Sequence, residues 1–258
     1  GGDRNDTLIY DDPGIGINMI AMNFLTEEKE NKSFLKYRDN ISSLKKEIKD
    51  VCRNSGKSPE DITIIAATKY VGPEGVAIVH KLGINDFGEN RSDELLNKEE
   101  SLSGDSKWHF IGHLQTRKVK TVVPLVEYIH SIDSLKTLEK VGKEANKINK
   151  IQKVLIEVNI SGEDTKYGLD REQVDSFIND SLKIKNIKMK GFMTIAPYTD
   201  DMESIRKIFR NLRLLKLEMS SLYSGLDLSE LSMGMSNDFR IAIEEGATMI
   251  RIGSNIFN

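Results

Sequence analysis

The chain has 258 residues, 38% of them hydrophobic and 30% charged, which is the balance of a globular protein able to bury a sizeable core. Lys+Arg 37 against Asp+Glu 40 leave a net charge of -3, without the basic excess that drives non-specific nucleic-acid binding, so no nucleic-acid partner is expected. The single cysteine, Cys52, excludes an internal disulfide framework and a Cys-based zinc cluster, and no apolar run reaches the ~18 residues of a membrane span. A reducing, cytoplasmic setting away from membranes is the expectation.

Residues 1–23 carry no sustained period and open on Gly1-Gly2, so they read as an added or disordered leader, with 24–258 as one domain. Asp3, Arg4, Asp6, Asp11 and Asp12 interrupt any secretory apolar segment. Gly14-Ile15-Gly16 lacks the third glycine of a dinucleotide loop, Met19 standing in its place, and no strand precedes it. From Thr26 a helical stripe emerges. Phe34, Tyr37, Ile41, Leu44, Ile48 and Val51 recur three or four apart until Asn54-Ser55-Gly56 stops it.

The texture then alternates. Apolar, β-branched runs at 62–68, 84–88, 108–112, 128–132, 154–159, 189–195, 230–233 and 249–252 predict strands. Helices are predicted to start near Pro73, Arg91, Thr116, Ser134, Asp170, Met202 and Asn237. Eight strands with seven helices between them, plus the leading helix, predict an α/β fold of the (β/α)8 TIM-barrel type with an extra N-terminal helix; an open doubly wound sheet suits the count less well.

In such a barrel, chemistry belongs at the C-terminal ends of the strands and phosphate sites favour the loops after strands seven and eight. The first strand ends at Lys69, on the face of Ile65 and Ala67. Partial desolvation there would free an amine for carbonyl chemistry; a snorkelling lysine is the plainer alternative. In the last strand Met249, Arg251 and Gly253 share a face, which turns Arg251 inward, where it needs an acceptor or an ion pair with Glu157. Ser232-Met233-Gly234-Met235-Ser236-Asn237, before a helix, could cradle an anion or simply cap the helix, and Gly253-Ser254-Asn255 offers backbone N–H groups and a hydroxyl.

The four histidines form no metal set: His109 and His113 are four apart but His109 falls in a strand, so local hydrogen bonds are expected instead. The run Arg117-Lys118-Val119-Lys120 reads as a solvated helix face or an anion anchor. No Gly-x-Ser-x-Gly elbow occurs, and Cys52 lies on the leading helix.

Seven motifs then stand in order: Ala-Ala-Thr-Lys69-Tyr, Phe87-Gly-Glu-Asn90, Trp108-His-Phe-Ile-Gly-His-Leu-Gln115, Val158-Asn-Ile-Ser-Gly162, Lys190-Gly-Phe-Met-Thr-Ile-Ala-Pro197, Leu231-Ser-Met-Gly-Met-Ser-Asn-Asp-Phe239 and Ile250-Arg-Ile-Gly253. Together they resemble the pyridoxal phosphate homeostasis protein family, single-barrel relatives of the alanine racemase N-terminal domain. The resemblance implies pyridoxal 5′-phosphate (PLP) held as a Schiff base on Lys69. It implies a phosphate held by Ser232, the neighbouring loop with Met233 and Ser236, Gly253 and Ser254. Arg251 would face the pyridine nitrogen, and Asn90, Asn159 and Met193 would line the pocket. PLP-requiring apoenzymes would be the partners and a monomer or weak dimer the state; no catalytic residue and no metal are assigned.

The implied arginine would keep the ring nitrogen unprotonated and weaken carbanion stabilisation. Racemases with this arrangement add a tyrosine base brought with a second domain, and this chain stops five residues after Gly253. Efficient amino-acid turnover is therefore not expected. A racemase using Tyr70, Tyr167 or Tyr198, and a sugar-phosphate aldolase using Lys69, are the alternatives. The chain departs from the family pattern in ending at Ile256-Phe257-Asn258, in Arg117 where asparagine is usual, and in Phe192 where an aliphatic residue is common.

Overall fold

Eight short parallel strands close on themselves, β1 (Thr63–Ala67), β2 (Asp86–Glu89), β3 (Lys107–Phe110), β4 (Tyr128–Ile132), β5 (Gln152–Glu157), β6 (Ile187–Met193), β7 (Glu230–Ser232) and β8 (Met249–Ile252). The computed structural model describes residues 13–258 apart from 103 and 165–166. Closure is made by β8 against β1, with Ile64 opposite Ile250 and Ile65 opposite Arg251. The predicted barrel is the observed one. Alternation along each strand sends Ile65, Tyr128, Leu155, Met193 and Met249 into the lumen, while Ala66, Ile129, Ile156, Phe192, Ile250 and Ile252 pack outward under the helices.

Between β5 and β6 the register shifts after Val154, and Gly191 follows with φ 145°. A Cβ there would lie 1.9 Å from the Glu230 carbonyl oxygen, so only glycine lets β6 and β7 approach.

The outer ring comprises α1 (Pro13–Asn54), α2 (Pro73–Lys81), α3 (Ser92–Glu99), α4 (Val119–Val122), α5 (Leu135–Lys147), α6 (Val174–Ser181), α7 (Met202–Leu222), α8 (Phe239–Glu244) and α9 (Ser254–Phe257). Three of the starts on this ring are fixed by a side-chain cap. Ser134 accepts from Thr137 N at 3.2 Å, Asp201 accepts from Ser204 N at 3.1 Å, and Asp170 with Gln173 completes a capping box.

The leading helix is longer than its apolar stripe suggests. It begins at Pro13 and not at Thr26, so the expected leader is helical from Pro13 onward, while residues 1–12 lie outside the described residues. Its C-terminal half carries the packing: Ile41, Leu44, Ile48 and Cys52 are buried, and Cys52 is a core residue. Asn40 Nδ2 donates to the carbonyls of Ile256 (2.9 Å) and Asn258 (3.0 Å), and Tyr37 meets Phe257 edge-on with ring centroids 5.4 Å apart. These contacts pin the end of the chain beside β1 and so shape the mouth of the barrel.

Candidate functional site

At the C-terminal mouth, where β8 meets β1, lies a cleft of about 390 Å³. Lys69, Arg251, Ser236, Asn237, Gly253 and Ser254 line it together with Ala67, Met235 and an aromatic wall of Tyr37, Tyr70 and Phe257. Five of the ten residues implicated by the sequence thus converge: Lys69, Ser236, Arg251, Gly253 and Ser254. Gly253 leaves room beside Ala67, since a Cβ there would stand 3.5 Å from the Ala67 carbonyl oxygen and narrow the cleft between the two strands.

Lys69 is not the desolvated strand residue that alternation suggested. Hydrogen-bonded β1 ends at Ala67 and Thr68 is buried, so Lys69 stands above the rim, exposed, its Nζ 4.8 Å from the Tyr70 ring centroid. The turn beneath it is fixed by a buried network. Lys98 Nζ, 1% exposed, donates to the Thr68 carbonyl at 2.8 Å and to Glu89 Oε2 at 2.9 Å. Thr68 Oγ1 donates to the same carboxylate oxygen at 2.7 Å, and Asn90 N donates to Glu89 Oε1 at 2.9 Å. No motif search isolates Lys98, because a lysine on a helix reads as surface until the register of β1 and β2 is known.

The loop after β7 turns at Gly234, where φ is 98° and a Cβ would stand 2.6 Å from Ala242 Cβ. The turn carries Ser236 to the cleft, where its Oγ accepts from Asn255 N at 3.2 Å and joins the two loops. Ser232 lies elsewhere. It pairs in register with Met193 and Met249 and therefore faces the lumen, where Arg251 Nη1 donates to its Oγ at 2.6 Å. Met233, one residue on, points outward into the core under the helices. Met193 sits in the luminal cluster below the cleft.

Arg251 is 4% exposed and also donates through Nη2 to the Thr194 carbonyl at 3.0 Å. Burial brings its guanidinium down to about 10, against the pull of Asp238 and Glu157. The contemplated direct ion pair with Glu157 does not form among the described residues. Glu157 acts on Arg251 through space, and its own carboxyl is pushed up to about 7 by burial and by Asp133, with Arg251 opposing.

Asn90 and Asn159 lie on other sectors of the mouth. Asn90 lines a smaller cavity of about 250 Å³ with Arg91, His113, Gln115 and Lys118. Asn159 Oδ1 accepts from Ser161 Oγ (3.1 Å) and Gly162 N (3.2 Å), and its Nδ2 donates to the Glu163 carbonyl, all within its own loop. Tyr198 is 92% exposed, and Tyr167 stacks on His113 with centroids 3.9 Å apart. Tyr37 and Phe257 were missed as site residues; Tyr37 stood in the apolar stripe of α1, and only folding brings that stripe to the mouth.

Residues 40–258 match the family described as the alanine racemase N-terminal domain. A pyridoxal phosphate homeostasis protein of Aquifex aeolicus (strain VF5) is 41% identical over 220 residues, 85% of this chain and 96% of that relative. The chain belongs to the pyridoxal phosphate homeostasis protein family. Its relative of that name in Escherichia coli (strain K12) is 30% identical over 224 residues, 84% of this chain and 94% of the relative. Among solved structures, PipY of Synechococcus elongatus PCC7942 with PLP bound covers 86% of this chain and 100% of its own, at 26% identity and a TM-score of 0.77. Alanine racemase of Clostridium difficile 630 shares the fold, with a TM-score of 0.70 at 16% identity over 86% of this homeostasis-family chain and 56% of its own.

Proposed function

We propose that this protein binds pyridoxal 5′-phosphate in the cleft between β1 and β8 and serves intracellular PLP homeostasis, without efficient amino-acid turnover. The observation that carries this reading is the convergence on one cleft of an exposed amine, a hydroxyl-bearing double loop and a buried arginine. The PLP bound in the PipY structure supports it, as do relatives named for homeostasis and not for an enzyme activity. When bound, PLP supplies an aldehyde that an amine can capture as a Schiff base.

Each residue has a part that its position permits. Lys69 supplies the amine; its exposure lets it take up and give back the aldehyde without opening the core. Ser236 and Ser254 offer hydroxyls to the phosphate, and Gly253 keeps the floor of the cleft free. Ser232 is assigned to Arg251, because its hydroxyl is already engaged in the lumen. Arg251 carries only N–H donors toward the cleft, so it would hold a facing ring nitrogen as an acceptor and leave it unprotonated. Tyr198 is turned to solvent and Tyr167 to His113, which gives no support to a tyrosine base for racemisation from either.

Transfer of PLP to apoenzymes, a cytoplasmic setting and a monomeric or weakly dimeric state belong to the same proposal. No described helix is long and apolar enough to cross a membrane. The test is the visible spectrum of protein loaded with PLP. Wild type is expected to show an imine band that Lys69→Ala abolishes while the far-UV signal is retained. A band of full intensity in the variant would remove Lys69 from the account.

A further inference from the structure

The lumen of the barrel holds a polar chain that binding of PLP at the mouth does not by itself require. Five side chains from five strands follow one another at hydrogen-bonding distance. Asp86 Oδ1 lies 2.8 Å from His109 Nε2, and His109 Nδ1 lies 2.9 Å from His130 Nε2. His130 Nδ1 lies 2.8 Å from Ser232 Oγ, which lies 2.6 Å from Arg251 Nη1. His109 is 1% exposed, while His130 and Ser232 are fully buried. The chain starts at the first residue of β2, where the Asp86 side chain is 22% exposed, and ends at the arginine beneath the cleft.

The chemistry of the ends fixes the direction of every proton between them. An arginine can only donate, so Ser232 Oγ accepts from Arg251 and its own proton must go to His130 Nδ1. His130 then carries its proton on Nε2 and gives it to His109 Nδ1. His109 in turn carries its proton on Nε2 and gives it to the Asp86 carboxylate. Both rings are neutral in this arrangement. That agrees with burial, the neighbouring His109 and the nearby Arg251 all holding the His130 imidazole well below its usual range. The opposite direction would need an imidazolium in the lumen beside a buried guanidinium, and it would leave Ser232 accepting twice with its own proton unassigned.

We infer that Ser232, His130, His109 and Asp86 form a one-way hydrogen-bond relay that positions Arg251, anchoring the guanidinium from the lumen so that its remaining N–H donors face the cleft. The carboxylate of Asp86 orders the two imidazoles, and they order the serine. Thr194 fixes the second nitrogen, so the guanidinium plane is held at two points. The other titratable groups facing the relay are Tyr128 of β4, stacked on His109 with centroids 5.3 Å apart, and Glu157 of β5 and Asp238 of the β7 loop, both acting on Arg251. That Arg251 meets the PLP ring rests on the function proposed above; the relay itself does not.

Nitrogen-15 NMR of the histidines in the full chain reads the relay without PLP. His109 and His130 are expected as neutral Nε2–H tautomers at about pH 8. A neutral Nδ1–H tautomer at His130, or an imidazolium at either site at that pH, would overturn the direction. Ser232→Ala should leave His130 in mixed tautomers and weaken PLP retention about tenfold, whereas Ser232→Thr should restore both. A changed tautomer with PLP retention and visible spectrum unaltered would overturn the positioning role. Wild-type protein that takes up no PLP would strike the proposed function instead, with the tautomers still deciding the relay.

Discussion

The two halves of the barrel mouth differ in kind. On the side of β7, β8 and β1, Lys69, Ser236, Arg251, Gly253 and Ser254 share one cleft, whose two loops are tied together by Ser236 and Asn255. On the side of β2 and β5, Asn90 and Asn159 are taken up by neighbouring cavities and by their own loop. The contrast teaches that closure, and not proximity in the chain, selects the site. Lys69 follows the first strand and Arg251 lies in the last, and the pairing of β1 with β8 brings both to one cleft.

The largest effect expected is on the turn that carries Lys69. Lys98→Met leaves the Glu89 carboxylate buried without its cationic partner and should cost about 3–5 kcal/mol in denaturant unfolding. Adding Glu89→Gln should recover most of that loss. A single variant as stable as wild type would mean the pair does not hold the β1 turn. Next comes the cleft itself. Gly253→Val places a branched side chain beside Ala67 and should weaken PLP retention, read by equilibrium dialysis, by about tenfold or more. Unchanged retention would move the site off the β1–β8 side.

Glu157 gives a pH-dependent effect. Its carboxyl holds its proton more tightly in the folded chain, up to about 7, than in the unfolded one. That stabilising contribution is complete below the unfolded carboxyl range and is lost as pH rises through about 7. Glu157→Gln should therefore gain on wild type between about pH 5 and about pH 8, by on the order of 3 kcal/mol at most. A thermal-melt difference independent of pH would contradict this. The smallest effect is expected from Asn159→Ala, with PLP retention changed by less than about threefold. A loss as large as that of Gly253→Val would join the two sides of the mouth into one site.

The barrel was legible because short strand runs alternate with helix starts, some of them marked by a capping side chain, as at Ser134 and Asp201. What alternation could not say is where hydrogen bonding stops. Extending the parity of β1 past Ala67 makes Lys69 a lumen residue, whereas the strand ends two residues earlier and releases it. The two serines of the β7 motif show the same gap. Ser232 is the last residue of the strand and faces the lumen, while Ser236 lies beyond Gly234 and reaches the cleft. His109 was expected to find local partners. Its partners, Asp86 and His130, belong to adjacent strands, and only strand register reveals them.

Borohydride reduction of the PLP-loaded protein, followed by peptide mass mapping, addresses the amine most directly. The account predicts one pyridoxyl adduct, on the peptide containing Lys69. An adduct on any other lysine, with Lys69 unmodified, would contradict it.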